Sequence, residues 1–179
     1  MSGIKFVDKK RGFTIVELLI VIVVIAILAS ISIVAYNGIQ QRARDSERKS
    51  NISTLAKAFE LYHIKYGVYP DSGGSSTVNG SWSTSNDSSW QLLANQLVPE
   101  FISKMPSDPT NSANGFTAGA SYSYSYYDGQ SSYCGAASRQ MYIVVYRLES
   151  GAQENILNGD CPSNALGPYS GYSNYRQTK

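Results

Sequence analysis

Histidine and cysteine, which carry much of enzyme chemistry, are nearly absent from this sequence of 179 residues. It contains one histidine and two cysteines, and it has no G-x-S-x-G, H-E-x-x-H or P-loop motif. The histidine, His63, lies beside an apolar stripe and is expected to be a packing residue. Asp108, Asp128 and Asp160 lack the spacing of a calcium-binding loop. We therefore predict a protein that is not an enzyme and that has no metal ion or cofactor.

Charged residues are also scarce, at 16% of the chain, and the net charge is +2. The first twelve residues contain four basic side chains and one acidic one, which leaves 11 basic and 12 acidic side chains in the rest. A near-neutral chain does not indicate nucleic-acid binding, so nucleic acid is not predicted as a partner. The basic residues of the C-terminal part that remain as candidates for a DNA contact are few: Lys104, Arg139, Arg147, Arg176 and Lys179.

The two cysteines, Cys134 and Cys161, are both far from the N-terminus. In an exported domain they indicate one disulfide, whereas in a cytosolic domain they indicate two buried thiols. Which of the two applies depends on where the chain resides.

A long apolar run is the most prominent feature of the sequence. Residues 18–35 contain no charge, and with the apolar residues on either side the run is long enough to cross a membrane. A signal peptide is one alternative, but the run is long for that purpose and offers only the weak cleavage site Ser30-Ile31-Ser32. A plain anchor is a second alternative, but it does not explain Glu17, because a carboxylate inside a membrane span is costly and is by default a functional candidate.

Cleavage between Gly12 and Phe13 would create a partner for Glu17. Phe13 would then carry a free α-amine about one helical turn from the carboxylate. In an array of parallel, staggered helices, the amine of one subunit would lie beside Glu17 of another. Since breaking such a pair leaves a charge in an apolar environment, only the correct stagger satisfies both groups.

The segment KKRGFTIVELLIVIVVIAILA, residues 9–29, resembles the N-terminal signature of type IV pilins and of the related type II secretion pseudopilins; the similarity extends through residue 36. The resemblance rests on Lys9, Lys10 and Arg11, followed by Gly12, Phe13 and Glu17. It implies cleavage after Gly12 by a prepilin peptidase, N-methylation of Phe13 and assembly into a homo-oligomeric filament. It also implies a membrane platform protein and an assembly ATPase as partners.

The resemblance implies a location as well. Before assembly the chain is expected to be a single-pass membrane protein in contact with lipid, with a cytoplasmic N-terminus and its C-terminal domain outside. After assembly it is expected in an extracellular or cell-envelope filament. Positive charges on both sides of the apolar run leave the orientation to the resemblance alone.

Apolar residues continue the helix beyond the membrane-length run. Ile52, Leu55 and Phe59, with Tyr62 and Tyr66, recur at intervals of three and four, as in an amphipathic helix. A glycine and a proline at positions 67 and 70 predict its end, so that one helix is expected over residues 14–66. The glycine at position 38 is either tolerated there or a weak point that unwinds during assembly.

The helix also contains a cluster of mixed charge, RARDSERK, at residues 42–49. One interpretation is a solvated segment with local ion pairs such as Asp45–Lys49. The other is a set of salt bridges between subunits, just outside the membrane.

The remaining residues predict a small α+β head in which the amphipathic half of the helix packs on an antiparallel sheet. Ser88 and Gln91 fit a capping box for a short helix over residues 89–97. Strands are predicted at residues 122–128, 141–149 and 154–157, the second of them buried and central, and the tail from residue 158 is predicted to be a loop. Trp82 is either a pin that docks the polar loop at residues 71–89 or an exposed contact residue.

The predicted organisation has four parts: a leader at residues 1–12, a membrane and assembly half-helix at 13–36, an amphipathic half-helix at 37–66 and a head at 67–179. The predicted function is that of a structural subunit of a type IV pilus-like filament. A type II secretion pseudopilin is the alternative, because YGVYP and MPSDPTN in the head resemble that pattern. A minor pilin with an adhesive or DNA-uptake role is a further alternative, to which the chain's 14 tyrosines would lend contact area.

Overall fold

The fold is described from a computed structural model, which divides the chain into two compact units, residues 1–40 and residues 41–179. The residues that the structure describes are 12–74, 81–112, 122–129 and 135–152, and also 156–158 and 174–178, the last two ranges by their backbone alone.

A single helix, α1, runs from Ile15 to Tyr66 and belongs to both units. Its N-terminal part is a continuous apolar run of membrane length, and its C-terminal part carries the periodic stripe of apolar residues, so the two halves have different signals for a helix. The helix ends where Gly67 adopts a φ of +72° and donates its N–H to the carbonyl of His63 at 2.8 Å. A residue without a Cβ adopts this left-handed conformation at little cost, which explains the stop. The predicted helix is confirmed, and Gly38 lies within it.

The core of the second unit forms around the apolar stripe of α1. Ile52, Leu55 and Phe59 are buried. The ring of Phe59 lies 4.5 Å from that of Tyr126 and 5.0 Å from that of Tyr142, measured between centroids. Such tilted and edge-to-face aromatic pairs add to the free energy gained by burying the rings. The helix therefore packs on one face of the sheet, as predicted.

The sheet has five strands: β1 (Ser83–Thr84), β2 (Ser125–Tyr127), β3 (Tyr142–Tyr146), β4 (Ile156–Asn158) and β5 (Asn174–Thr178). Their order is β1-β2-β3-β5-β4. The neighbours are antiparallel except for β4 and β5, which run parallel. All five residues of β3 are buried, as expected of a central strand. The predicted α+β class is thus confirmed, with one parallel pair added to the antiparallel sheet.

The prediction of a loop-like tail was wrong at β5. Its residues pair along their whole length with β3, from Tyr142 opposite Thr178 to Tyr146 opposite Asn174. The sequence NYRQT has no run of apolar residues, so the usual strand pattern is missing. The strand is instead defined by backbone hydrogen bonds to both neighbours.

The short helix α2 extends from Ser89 to Leu97, as predicted, but its cap differs. Ser88 is helical in conformation and makes no side-chain cap hydrogen bond, so the predicted capping box is wrong. Asp87 takes that role, because its Oδ1 accepts the backbone N–H of Ser89 at 2.8 Å and also the Ser89 hydroxyl. An aspartate is as good a cap as a serine, and here it precedes the predicted position by one residue.

Two aromatic predictions are settled by burial. Trp82 is 6% exposed and stacks on Tyr127 with 5.3 Å between ring centroids, so it is the docking pin and not an exposed contact residue. The ring of His63 stacks on the ring of Tyr69 with 4.4 Å between their centroids, and its Nε2 lies 3.3 Å from the Oε1 of Gln140. The interpretation of His63 as a partly buried packing residue is confirmed.

Candidate functional site

Glu17, the one charged residue in the apolar run, is held by the first turn of its own helix. Its Oε2 accepts the backbone N–H of Thr14 at 2.8 Å and the Thr14 hydroxyl at 2.8 Å. The Thr14 Oγ1 in turn accepts the backbone N–H of Glu17 at 3.2 Å. This is a reciprocal capping box, in which a threonine at the N-cap and a glutamate three residues later satisfy each other's backbone donors.

The two oxygens of this carboxylate have different surroundings. Both Thr14 donors bind Oε2, whereas Oε1 accepts no hydrogen bond from any residue that the structure describes. The Glu17 side chain is exposed, and so is Phe13 beside it. The site therefore combines an anchored carboxylate with an accessible oxygen that is able to accept a cationic donor.

The apolar surface that follows Glu17 is uncovered. The large apolar side chains described between Phe13 and Ile39 are between 48% and 91% exposed. The two serines in this stretch donate their hydroxyls to the helix's own carbonyls, Ser30 to Ile27 at 2.7 Å and Ser32 to Leu28 at 2.8 Å. Polar groups bonded inside the helix in this way are compatible with lipid or with close packing against another helix.

By length and composition, α1 is long and apolar enough to cross a membrane. It is the one such helix among the residues that the structure describes.

A second cluster of polar residues lies in the other unit, around Arg48. This side chain is 0% exposed, although it belongs to the mixed-charge segment of α1. Its guanidinium donates to both oxygens of Asp108 at 2.8 and 3.1 Å, to Asp45 at 2.9 Å and to Glu149 at 2.8 Å. A fifth bond goes to Thr110 at 3.0 Å. All five donors of the guanidinium are therefore used within one subunit.

The other members of the cluster bind loop backbone. Asp45 accepts the N–H groups of Glu149 and Ser150 at 2.8 and 3.0 Å. Asp108 accepts those of Thr110 and Asn111 at 2.8 and 3.2 Å. For Asp45 and Arg48, the interpretation as a solvated segment is therefore wrong, and the partners that the structure gives them are within the subunit.

Charge and burial act in opposite directions on the pKa values of this cluster. Burial lowers the pKa of Arg48, but its hydrogen bonds to Asp108 and Glu149 outweigh burial and raise the pKa above the ordinary value. Burial raises the pKa of Asp45, but the two backbone N–H donors and Arg48 lower it overall. The hydrogen bond from Arg44 holds the pKa of Glu149 below its usual value. These shifts favour the ionised forms of Arg48, Asp45 and Glu149.

Of the residues predicted to be cleaved, methylated and used in assembly, Gly12 and Phe13 lie just before α1 and Glu17 lies in its first turn. Thr14 was missed by sequence reasoning, although the T-x-x-E spacing at residues 14–17 is the signal of a capping box. Cys134 and Cys161 lie outside the described residues.

The aspartates considered for calcium have other partners or lie outside the description. Asp108 binds Arg48, Asp128 accepts hydrogen bonds from the backbone and the hydroxyl of Ser72, and Asp160 falls outside the described residues. Within the part of the chain that the structure describes, no three acidic, histidine or cysteine side chains converge on a metal position.

Comparison with known proteins gives an independent identification of the N-terminal segment. Residues 8–33 match the family model described as "Prokaryotic N-terminal methylation motif". That match covers the basic cluster, Gly12, Phe13, Glu17 and most of the apolar run.

Similarity to curated proteins extends beyond this motif. The chain is 32% identical over 104 residues to the "Type II secretion system core protein G" of Escherichia coli (strain K12), covering 57% of this chain and 68% of that protein. It is 37% identical over 67 residues to the "Type IV major pilin protein PilA" of Myxococcus xanthus (strain DK1622), covering 37% of this chain and 30% of that protein. It is 34% identical over 72 residues to the "Type IV major pilin protein PilE" of Neisseria gonorrhoeae, covering 40% of this chain and 43% of that protein.

No solved structure matches the chain. The two pilin matches span less than half of those proteins, whereas the match to core protein G spans just over two thirds of its length. The methylation motif at the start of the apolar helix and the extended match to core protein G indicate the same family. The chain belongs to the family of type IV pilins and type II secretion pseudopilins.

Proposed function

We propose that the protein is a structural subunit of a type IV pilus-like filament, cleaved between Gly12 and Phe13 by a prepilin peptidase and N-methylated on Phe13. The observation that carries the proposal is the bare apolar surface of α1, which has a single carboxylate, Glu17, at its start. A soluble monomer has no use for such a surface, since an exposed apolar patch of this size marks an interface or a membrane contact.

The same surface serves the subunit in two environments. Before assembly the apolar helix resides in lipid, with the N-terminus in the cytoplasm and the head outside. Since lipid is as apolar as the helix, the hydrophobic effect does not favour leaving the membrane, and close packing and polar contacts must hold the assembled helices together. We infer that a platform protein and an assembly ATPase supply the work of extraction.

The pair between Glu17 and the α-amine of Phe13 sets the stagger of the assembled helices. In a bundle of apolar helices, an unpaired carboxylate or ammonium is strongly disfavoured, so misregistered packing is penalised. The accessible Oε1 of Glu17 is the acceptor that supports this role.

A pseudopilus of a type II secretion system is the second candidate, and one observation favours it. The match to core protein G is 104 residues long. That is longer than residues 1–66, which hold the N-terminal segment and α1, so the match includes part of the head. The matches to the two major pilins, at 67 and 72 residues, are close to the length of that N-terminal portion. Filaments that can be sheared from the cell surface favour a pilus, whereas loss of protein secretion on deletion, without such filaments, favours a pseudopilus.

The proposal is tested first by N-terminal peptide mass spectrometry of the protein from its native cell envelope. We expect a mature chain that begins with N-methylated Phe13. A chain that begins at Met1 or is cut near Ser32 would overturn the proposed processing.

The assembly role is tested by Glu17→Ala, with Glu47→Ala as the matched control on an exposed position of the same helix. We expect Glu17→Ala to be processed normally and to assemble poorly, whereas Glu47→Ala is processed and assembles like the wild type. Normal filaments from Glu17→Ala would contradict the role of Glu17 in setting the stagger.

We further infer that Cys134 and Cys161 form a disulfide, because the proposed location of the head is outside the cytoplasm, where disulfides form and persist. Peptide mapping with and without reductant tests the pairing. Two alkylated free thiols in the unreduced protein would contradict it.

A further inference from the structure

We propose that Thr14 is a positioning residue that divides the carboxylate of Glu17 between two partners. One oxygen, Oε2, is held by the subunit's own helix start, and the other, Oε1, is presented to the N-terminal ammonium of a neighbouring subunit. This inference rests on the proposed function and deepens it, because it assigns a role to a residue outside the three that define processing and assembly.

The geometry of the capping box carries the assignment. Two donors of Thr14, the backbone N–H and the hydroxyl, meet on the same oxygen of Glu17 at 2.8 Å each. A third bond, from the Glu17 N–H to the Thr14 Oγ1 at 3.2 Å, closes the box from the other side. With both donors on Oε2, the direction in which Oε1 points is set by Thr14 and not by the free rotation of a long side chain.

The proposed cleavage also leaves both residues of the capping box, Thr14 and Glu17, in the mature chain. Both residues lie on the C-terminal side of the bond between Gly12 and Phe13, and every donor and acceptor in the box belongs to the part of the chain that is kept. Cleavage therefore removes no hydrogen-bonding group of the box, and all three bonds remain available to the processed subunit.

The number of acceptor positions on a carboxylate explains why it is useful for the two oxygens of Glu17 to bind different partners. An ionised carboxylate has about four acceptor positions, two on each oxygen, and the box uses two on Oε2. In lipid these two bonds reduce the cost of a charge that has no other partner. They leave the acceptor positions of Oε1 for the ammonium, so the subunit need not break its own bonds in order to assemble.

A purely structural cap makes a different prediction from a positioning residue. If Thr14 only stabilised the first helical turn, its removal would weaken assembly by the same factor whether or not Glu17 is present. If Thr14 acts through the carboxylate, its removal has no further effect once the carboxylate is gone. The two cases are therefore separated by a double-mutant comparison.

The experiment measures competitive incorporation into filaments. Each variant carries an epitope tag and is co-expressed with the untagged wild type, and its share of the sheared filaments is divided by its share of the processed membrane pool. Thr14→Val removes the hydroxyl at nearly constant shape, Thr14→Ser restores it, and Thr54→Val makes the same substitution elsewhere on α1. Thr54 is a suitable control because its hydroxyl bonds to the carbonyl of Ser50 in the same helix.

We expect incorporation of Thr14→Val to fall roughly fivefold, the factor associated with loss of a helix cap, while Thr14→Ser and Thr54→Val stay within twofold of the wild type. In the Glu17→Gln background, which still offers a carbonyl oxygen but no charge, we expect the additional effect of Thr14→Val to be less than twofold.

Three results would overturn the inference while the assembly role of Glu17 stands. The first is equal incorporation of Thr14→Val and the wild type while Glu17→Ala is excluded, which leaves the proposed function standing and removes only the role of Thr14. The second is the same loss on Thr14→Val in both backgrounds, which makes Thr14 a structural cap. The third is failure of the peptidase to cleave Thr14→Val while it cleaves Glu17→Ala normally, which places the hydroxyl at the peptidase and not at Glu17. If Glu17→Ala itself is incorporated like the wild type, the assembly role proposed for Glu17 fails, and this inference fails with it.

Discussion

Replacing Arg48 by methionine should be among the most damaging single changes available in the head. The guanidinium is fully buried, and its five donors all bind partners in the same subunit, three of which are carboxylates. Methionine keeps most of the aliphatic stem and removes the charge, so the change isolates the ionic contribution from packing. Asp45 and Asp108 would then lose their cation, and Glu149 would keep only its pair with Arg44.

The expected loss of folding stability in Arg48→Met follows from that geometry. Removing one partner from a buried ion pair costs about 3–5 kcal/mol, because an uncompensated charge is left behind. For a unit of this size that loss corresponds to a fall in melting temperature of roughly 10–20 °C. Arg48→Lys should be intermediate, since an ammonium keeps the charge but has three donors and is unable to bind Asp108 with two parallel bonds.

The assay is thermal unfolding of the full chain in detergent, followed by near-ultraviolet circular dichroism of the aromatic core. Arg42→Met is the matched control, because Arg42 is an exposed residue of the same charged segment. An exposed substitution of this kind should change the free energy of unfolding by no more than about 0.5 kcal/mol. If Arg48→Met melts within roughly 2 °C of Arg42→Met, a difference well below 1 kcal/mol for a unit of this size, the buried ion pairs of Arg48 do not stabilise the head.

Three further changes test the core, a turn and the response to pH. Phe59→Ala should cost about 3–5 kcal/mol in chemical denaturation, because a buried ring in contact with two tyrosine rings is lost; a cost below 1 kcal/mol would contradict the packing. Gly129→Ala should lower the melting temperature, since Gly129 has a φ of +70° and an added Cβ would lie 2.6 Å from the Cγ of Met141; unchanged melting would contradict that close approach. Because Arg44 lowers the pKa of Glu149 from 4.5, the ionised form stabilises the fold above about pH 4.5, and this stability is lost as the pH falls through the lowered pKa. Glu149→Gln should therefore show a smaller fall in melting temperature on acidification than the wild type, and equal falls would exclude this source of acid sensitivity.

The helices were predictable because their signals are local. The boundaries of α1 depend on an apolar run, a periodic stripe and a glycine that accepts a positive φ, all of which are visible in neighbouring residues. The range of α2 was likewise correct, whereas its cap was placed one residue too late. Serine and aspartate are nearly equal as caps, so the choice between adjacent candidates depends on the conformation of the loop that precedes the helix.

The sequence does contain one indication that Asp45 and Arg48 are buried. Asp45 and Arg48 precede Ile52, Leu55 and Phe59 at the same intervals of three and four, so they continue the stripe that faces the core. Their charge suggested solvent, because charged residues are rarely fully buried without partners. The partners, Asp108 and Glu149, are 60 and 101 residues away from Arg48, and no pattern in the sequence joins positions so far apart.

The sequence alone determined the part of this protein that depends on neighbouring residues. That part includes the cleavage and methylation motif, the apolar helix and the capping box spacing of Thr14 and Glu17, because a single helix turn contains all the atoms involved. Only the tertiary structure decided that Arg48 is buried among three carboxylates and that the polar segment Asn174–Thr178 lies beside β3. Both outcomes require groups that meet only after the chain has folded, since a buried charge needs a distant counter-charge and a strand without apolar periodicity needs a neighbour's backbone.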